Sequence, residues 1–216
     1  MTYECSILAD PQGKAWKFAT SLYDNLHRRS GKFELNEINI KKFRDDEIKV
    51  KVHDNVRRKN CFFIHDSSKQ PADWFLELAL VNEALRYSSA NEIVDVLPYL
   101  KFSRQDRKDE SRVAVSARVL SDMISAYAHR VLTIDAHSSQ ISGFYRIPFD
   151  NLYSSRLLHD YLKEKHPDIL QNTIVMSPDA GGASRAKAFA SRLGIESIVI
   201  GYKFRERAGE IAEFKI

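Results

Sequence analysis

Strand-like and helix-like segments alternate along this chain of 216 residues. Short apolar or strictly alternating runs predict strands, and apolar residues spaced three or four positions apart predict helices. The predicted strands are residues 5–9, 47–53, 61–64, 93–97, 131–134, 173–176 and 197–200. The predicted helices are one that begins near Ala15 and three at residues 72–87, 113–127 and 183–193. Such an alternation indicates an α/β fold with mostly parallel sheets and helices on both sheet faces.

The alternation is interrupted at residues 147–150, where Pro148 stands in a stretch without periodicity. We therefore expect two domains, residues 1–147 and residues 148–216. A chain of this length with 44% apolar residues is large enough for one large or two modest hydrophobic cores.

Composition restricts the classes of function only mildly. Lys and Arg total 33 against 29 Asp and Glu, and this small excess tolerates anionic ligands without by itself predicting nucleic-acid binding. Cys5 and Cys61 lie in apolar runs without metal-ligand spacing, so we expect buried, reduced thiols. No apolar run is long enough to span a membrane, and no signal-peptide pattern stands at the start. We therefore expect a cytoplasmic protein that does not bind membranes.

A highly charged segment, residues 103–112, follows the apolar strand predicted at residues 93–97. Open α/β sheets place ligand sites at the carboxyl ends of their strands. The four cations of this segment can clamp a polyphosphate, because Arg presents a planar donor fork and Lys a compact charge. A solvated surface loop explains the same residues about equally well.

An acidic segment with one aromatic residue, Phe43 to Glu47, precedes the alternating strand at residues 47–53. An exposed Phe43 can stack on a nucleobase while Asp45, Asp46 or Glu47 accepts a hydrogen bond from its amino group. The residues alone favour the alternative, a polar turn with a core Phe.

Asp135 and His137 follow the predicted strand at residues 131–134. Residues two positions apart on a pleated strand point the same way, so this pair can hold metal-bound water or a phosphate oxygen. A lone His is more often structural.

A glycine-containing loop, residues 177–185, joins a predicted strand to a predicted helix. Gly181 and Gly182 let backbone N–H groups approach an anion at the positive end of the helix. Asp179 can instead hold magnesium, which usually takes only one or two protein carboxylates. The pattern alone predicts a nucleotide or phosphate site.

Four motifs together give the chain a family resemblance. They are RQDRK at 104–108, DxHxxQxxGF at 135–144, IPxDxL at 147–152 and SPDxGG at 177–182. In this order and spacing, they resemble the ribose-phosphate pyrophosphokinases, or phosphoribosyl pyrophosphate synthetases. The resemblance extends from about Phe43 to the end of the chain.

The resemblance implies two phosphoribosyltransferase-like domains, of which the second is incomplete here. It also implies transfer of the β,γ-diphosphoryl group of ATP to the C1 hydroxyl of ribose 5-phosphate with Mg²⁺. The products are phosphoribosyl pyrophosphate and AMP, which serve nucleotide biosynthesis. Homo-oligomers based on a dimer, commonly hexamers, are implied as well.

The resemblance also assigns roles to individual residues. Those matching the family's ATP-contacting residues are Phe43, Asp45, Asp46, Glu47, Arg104 and Gln105, although the family usually has Gly where Asp46 stands. Arg107, Lys203 and Arg205 match catalytic cations, and Phe204 departs from the family's Lys-Arg-Arg pattern. His137 and Asp179 match magnesium-associated residues. These roles suit diphosphoryl transfer, which requires mainly positioning and positive charge.

The ribose-phosphate loop of the family, Asp-Asp-x-x-Asp-Thr-x-Gly-Thr, does not occur in the 216 residues. Three explanations for the missing loop are open. The chain is a fragment of a longer enzyme, one half of a split enzyme or a degenerate homologue. We expect the isolated chain to be poorly soluble or to need a partner, because an unpaired sheet edge promotes aggregation. The alternatives to an active enzyme are a non-catalytic regulatory subunit or inactive fragment and a nucleic-acid-binding module. Alternating charge signs in residues 103–112 count against the nucleic-acid module.

Overall fold

The computed structural model describes residues 4–168, 172–204 and 213–215. The chain divides into two compact units, Met1–Leu152 and Tyr153–Ile216. The division lies beyond residue 147, because Phe149–Leu152 forms a strand of the sheet in the first unit. Within the described ranges, no helix has the length and apolar character needed to cross a membrane.

The first unit is an α/β structure. Its strands and helices are β1 (Cys5–Ala9), α1 (Ala15–Ser30), β2 (Phe33–Lys42), β3 (Ile48–Val52), β4 (Asn60–Ile64), α2 (Pro71–Tyr87), β5 (Glu92–Leu97), α3 (Ser116–Tyr127), β6 (Arg130–Ile134) and β7 (Phe149–Leu152). A short 3-10 helix, Ser139–Phe144, precedes β7. The strands form one sheet in the order β3-β2-β1-β4-β5-β6-β7, in which only the β2–β3 pair is antiparallel. The predicted α/β fold with a mostly parallel sheet is confirmed.

Strand β5 lies between the two hydrophobic clusters of the first unit. Its residues alternate between two hydrophobic clusters, with Ile93 and Leu97 in one and Val94 and Val96 in the other. Helices α2 and α3 contribute to the first cluster, and α1 contributes to the second. Because both faces are covered, β5 is buried along most of its length. The loop that follows Leu97 therefore starts at the end of a buried strand.

The strand order creates a topological switch point between β1 and β4. From β1 the chain moves outward to β2 and returns to β4 on the other side of β1. The parallel strands end at one edge of the sheet, where open α/β folds bind ligands. The loops after β1, β4, β5 and β6 all leave this edge.

The second unit contains α4 (Ser155–Lys165), β8 (Val175–Ser177), α5 (Ala183–Leu193), β9 (Ile198–Ile200), β10 (Tyr202–Phe204) and β11 (Glu213–Lys215). Strands β8 and β9 pair in parallel, and β10 and β11 pair antiparallel.

Both cysteines are free, as predicted, but only Cys61 is fully buried. Burial raises the pKa of the Cys61 thiol to about 12, so it stays protonated. Cys5 is partly exposed because it stands at the start of β1.

Candidate functional site

The charged segment predicted at residues 103–112 is a loop with ordered ends. The buried hydroxyl of Ser103 donates to the Leu100 carbonyl at 2.8 Å, and the Ser116 hydroxyl donates to the Phe102 carbonyl at 3.0 Å. Phe102 has a positive φ of 60° and packs edge-on against Phe75, with ring centroids 5.9 Å apart. These contacts fix the loop where it leaves β5 and where it enters α3.

The predicted phosphate-binding side chains lie between these anchors. Arg104 and Arg107 are exposed. The side-chain amide of Gln105 donates to the Arg107 carbonyl at 2.9 Å and to Asp109 Oδ1 at 2.8 Å. The bond from Gln105 is the main reason that the pKa of Asp109 is lowered. The Gln105 amide is thus bound within the loop, whereas the guanidinium groups of Arg104 and Arg107 are exposed to solvent.

The His137 loop begins at the end of β6 and is held by β7. The Ala136 N–H donates to Asn151 Oδ1 at 2.9 Å, and the exposed His137 follows. Asp135 has a positive φ of 49°, which ends the pleated conformation at Ile134. The pleated-strand argument that paired Asp135 with His137 is therefore wrong.

A short hydrogen bond joins the two loops. The Ser138 hydroxyl donates to Asp106 Oδ2 at 2.5 Å. Since β5 and β6 are parallel neighbours, both loops leave the same edge of the sheet. The structure therefore brings the segment of Arg104, Gln105 and Arg107 next to the segment of His137.

The acidic segment forms the turn between β2 and β3. The Phe43 N–H donates to the Glu47 carbonyl at 2.8 Å, and Asp46 has a positive φ of 66°. A left-handed conformation favours Gly, and Asp is among the few other residues that adopt it readily. Phe43 is 54% exposed, so the interpretation as a core Phe is wrong. Asp45, Asp46 and Glu47 are exposed beside it.

Within one chain, this turn is not a neighbour of the charged loop. Strands β1 and β4 lie between β2 and β5. Three strand spacings of about 4.8 Å give a separation of about 14 Å. The turn and the loop lie at the same edge of the sheet, but the strands that carry them, β2 and β5, are not adjacent.

In the second unit, Asp179 lies in a tight loop between β8 and α5. Its Oδ1 accepts from the Gly182 N–H at 3.0 Å, and the Ser177 hydroxyl donates to its carbonyl at 2.6 Å. A Cβ on Gly182 would stand 2.6 Å from Ser177 Oγ, so a larger residue at this position would require the Ser177 side chain or the loop to move. Lys203 lies in β10 opposite Phe214. Arg205 lies outside the described residues.

A buried ionic group at the switch point was missed by the sequence analysis. Lys69 Nζ lies 3.1 Å from Glu77 Oε1 and 3.8 Å from Asp10 Oδ2. Burial raises the pKa of Glu77, and Lys69 opposes that rise. Burial also opposes ionisation of Asp66, but N–H groups of Ser68 and Lys14 lower its pKa overall. No local motif marks this group, because Asp10 follows β1 whereas Lys69 and Glu77 follow β4, and the pairing of β1 with β4 brings Asp10 to Lys69.

Residues 14–127 match the N-terminal domain of ribose phosphate pyrophosphokinase. The chain belongs to the ribose-phosphate pyrophosphokinase family. Ribose-phosphate pyrophosphokinase from Campylobacter jejuni is 42% identical over 177 residues, which are 82% of this chain and 56% of that protein. The protein of the same name from Helicobacter hepaticus is 40% identical over 89% of this chain and 61% of its own length.

Among solved structures, phosphoribosylpyrophosphate synthetase from Mycobacterium smegmatis aligns with 97% of this pyrophosphokinase-family chain. The TM-score is 0.77 at 25% identity, and the alignment covers 67% of that structure. The chain spans a little more than half the length of the two curated relatives. In the described part of the chain, no group of three or more His, Cys, Asp or Glu residues is arranged to hold a metal ion.

Proposed function

We propose that a protein carrying this chain is a ribose-phosphate diphosphokinase. It transfers the β,γ-diphosphoryl group of ATP to the C1 hydroxyl of ribose 5-phosphate, giving phosphoribosyl pyrophosphate and AMP for nucleotide biosynthesis. The observation that carries the proposal is the pair of joined loops at the ends of β5 and β6. In a chain of this family, these loops present two arginines and a histidine at the ligand-binding edge of the sheet.

In the proposed reaction, the C1 hydroxyl oxygen attacks the β-phosphorus of ATP. The bond from that phosphorus to the oxygen bridging it to the α-phosphate breaks, and AMP leaves while the hydroxyl proton is released. Negative charge accumulates on the transferring oxygens, so positive side chains at this position lower the barrier. Arg107, Lys203 and Arg205 are the residues that we assign to this role.

The proposed ATP contacts come from the turn and from the charged loop. Exposed Phe43 stacks on adenine, and Asp45, Asp46 and Glu47 provide acceptors for its amino group. Arg104 and Gln105 contact the nucleotide from the loop. Because Gln105 donates to Asp109 in this structure, we expect it to exchange that bond on nucleotide binding.

Mg²⁺ is the proposed cofactor, associated with His137 and Asp179. A magnesium ion that is held mainly by phosphates and water needs only one or two protein ligands. When bound, Mg²⁺ neutralises phosphate charge. Its expected contacts come from exposed His137 and from Asp179, whose Oδ1 the Gly182 N–H orients.

The alternative function is a non-catalytic regulatory subunit or an inactive fragment of such an enzyme. The presence of Arg104, Arg107, His137, Asp179 and Lys203 together favours the enzyme, since a regulatory role has no need of this set. A homo-oligomer based on a dimer and a cytoplasmic location remain predictions.

The test is AMP release from ATP and Mg²⁺ with and without ribose 5-phosphate. We expect sugar-dependent AMP, and a loss of about 10²-fold to 10³-fold in Lys203→Ala, as for other charge-stabilising donors. Lys163→Ala is the matched control, because Lys163 is an exposed lysine of the same unit. Sugar-dependent AMP that persists in Lys203→Ala would contradict the assignment of Lys203.

Calorimetric titration of ATP distinguishes the alternative. Absence of AMP together with magnesium-dependent ATP binding that Arg104→Ala weakens would favour the regulatory subunit or fragment. Absence of both activity and ATP binding would overturn the proposed function.

A further inference from the structure

One face of the β2–β3 ribbon carries a row of lysines. In the antiparallel register, Lys41 stands opposite Lys49, and Asn39 stands opposite Lys51. Alternate residues of a strand share a face, so these two pairs lie side by side, with His53 beyond them. We name Asn39, Lys41, Lys49, Lys51 and His53 the lysine ladder. They line one shallow cavity of about 220 Å³.

The opposite face of the ribbon explains why the ladder is open. Ile38, Ile40, Val50 and Val52 point into the hydrophobic cluster that contains α2 residues. On the ladder face, α1 covers only the first half of β2, where Phe33 and Leu35 belong to the second cluster. The three ladder lysines and His53 are exposed.

Two exposed acids, Glu37 and Glu47, stand at the two ends of the ladder face, but among the described residues neither forms an ion pair with a ladder lysine. The ladder lysines form no ion pair there, although Lys41 and Lys49 are directly opposed, an arrangement that destabilises a sheet. The neighbouring Lys42 shows the contrast, since it points to the other face and pairs with Asp73 at 2.8 Å. Folding alone therefore gives no reason for three cations on this face.

We propose that the lysine ladder binds a phosphate-bearing anion, namely an oligophosphate that is either free or part of a nucleotide. Opposed side chains start about 5 Å apart, and successive pairs on one face are about 6.7 Å apart, so one elongated anion can contact all three amines. Lysine suits this role because its ammonium group has three rotatable donors.

The face also shows how a nucleotide would be accommodated. Phe43 and Glu47 are the next opposed pair, beyond Lys41 and Lys49 at the turn. A base stacked on Phe43 would place its phosphates within reach of the ladder. None of the ladder residues belongs to the proposed catalytic, ATP-contacting or metal set, so binding of a free oligophosphate does not depend on the proposed activity. Binding of a nucleotide would share Phe43 with the proposed ATP contacts and rests on the proposed function in that respect.

The first experiment measures which amines a ligand protects. The full chain is acetylated by a limiting amount of an amine-reactive ester, with and without sodium tripolyphosphate, and modification is quantified by mass spectrometry. We expect protection of Lys41, Lys49 and Lys51 of about fivefold or more, and none at Lys17, an exposed lysine of α1. Protection should weaken as salt rises, because exposed charges are screened.

The second experiment measures tripolyphosphate affinity by calorimetry in Lys49→Gln/Lys51→Gln and in a matched control, Lys17→Gln/Lys163→Gln. Both variants lose two charges from exposed positions. The ladder variant should bind about tenfold more weakly, as expected for the loss of two surface charge contacts, and the control should stay within about twofold. Removal of the opposed charges should leave its urea midpoint equal or higher, which separates lost binding from misfolding.

ATP and Phe43→Ala identify the source of the phosphate. If ATP protects the ladder lysines in wild type but not in Phe43→Ala, the ligand is a nucleotide. If tripolyphosphate protects them in both proteins and ATP protects them in neither, the ligand is a free oligophosphate. Uniform protection of all lysines, or equal affinities of both double variants, would overturn the site. Protection by single-stranded RNA without protection by either small anion would overturn it in favour of a nucleic acid.

Discussion

Asp95 is buried completely in the middle of β5, and we predict that it controls the pH dependence of stability in the first unit. Its Oδ2 accepts from Asn82 Nδ2 at 2.8 Å, while Oδ1 has no hydrogen-bond partner among the described residues. Burial raises the pKa of Asp95 from 3.8 to about 7, and the bond from Asn82 opposes the rise. The folded chain therefore keeps this carboxyl protonated at pH values where the unfolded chain has lost the proton.

The magnitude follows from the two pKa values. A difference of about three pKa units corresponds to about 4 kcal/mol in the free energy of unfolding. Below pH 3.8 the proton is bound in both states, and the full stability is present. Between pH 3.8 and about 7 the unfolded state binds fewer protons, so stability falls as pH rises and then levels off. Asp95→Asn keeps the shape and the neutral form, so the variant should escape this loss.

His65 changes the free energy of unfolding with pH in the opposite direction, so its effect must be separated from that of Asp95. Burial lowers the pKa of His65 to about 4, although its ring bonds to the Trp74 carbonyl at 2.8 Å. Its stabilising contribution is present above the unfolded pKa and is lost as pH falls toward 4. The wild-type profile is the sum of both effects. The difference between Asp95→Asn and wild type removes the contribution of His65.

The assay is urea unfolding at pH 5, 6, 7 and 8, followed by tryptophan fluorescence. Trp16 and Trp74 are the only tryptophans of the sequence, and both lie in the first unit. We expect the stability advantage of Asp95→Asn over wild type to grow by about 3 kcal/mol between pH 5 and pH 8. Asp24→Asn, the same change at an exposed position of α1, should show a constant difference. A pH-independent difference for Asp95→Asn would refute the reasoning.

Three further substitutions test the site and its support. Ser138→Ala removes the hydrogen bond to Asp106, so backbone hydrogen exchange of residues near Asp106 should accelerate about fivefold. An unchanged exchange rate would mean that this bond does not order the loop. Gly182→Ala should accelerate hydrogen exchange in α5, because the new Cβ would collide with Ser177 Oγ. Adding Ser177→Ala should reverse much of this acceleration, and if it does not, the collision is not the cause. Thr133→Val removes the buried hydrogen bond of 2.7 Å from the Thr133 hydroxyl to the Leu97 carbonyl. Urea titration should show a free energy of unfolding that is lower by about 1 kcal/mol, and no change would mean that the bond does not stabilise the fold.

The sequence predicted those elements whose residues face a single kind of environment. The helix predicted at residues 72–87 is Pro71–Tyr87, and the strand at residues 93–97 lies within Glu92–Leu97. The helix buries apolar residues at helical spacing from Trp74 to Leu85, and the strand residues from Ile93 to Leu97 are apolar except Asp95. In these cases the local pattern contains the tertiary information.

Strand β2 was not predicted because its apolar pattern changes face in the middle. Phe33 and Leu35 pack on the cluster that contains α1 residues, whereas Ile38 and Ile40 pack on the cluster that contains α2 residues. Between them, Asn36 is buried and donates to Ser6 Oγ at 2.9 Å. A strand that passes from one covering helix to the other loses period-two alternation. Only the positions of the two helices, which depend on contacts distant in sequence, explain the change.

The candidate site divides in the same way between local and distant information. Placement of Arg104 and His137 after strands could be predicted, because apolar runs precede both motifs. Their adjacency could not, since it depends on β5 pairing with β6 instead of another strand. The segment at Phe43 was predicted only to precede a strand, and the sheet order separates it from Arg104 by two intervening strands. Motifs therefore identify which edge of the sheet carries the chemistry, and the strand order decides which motifs can contact one ligand together.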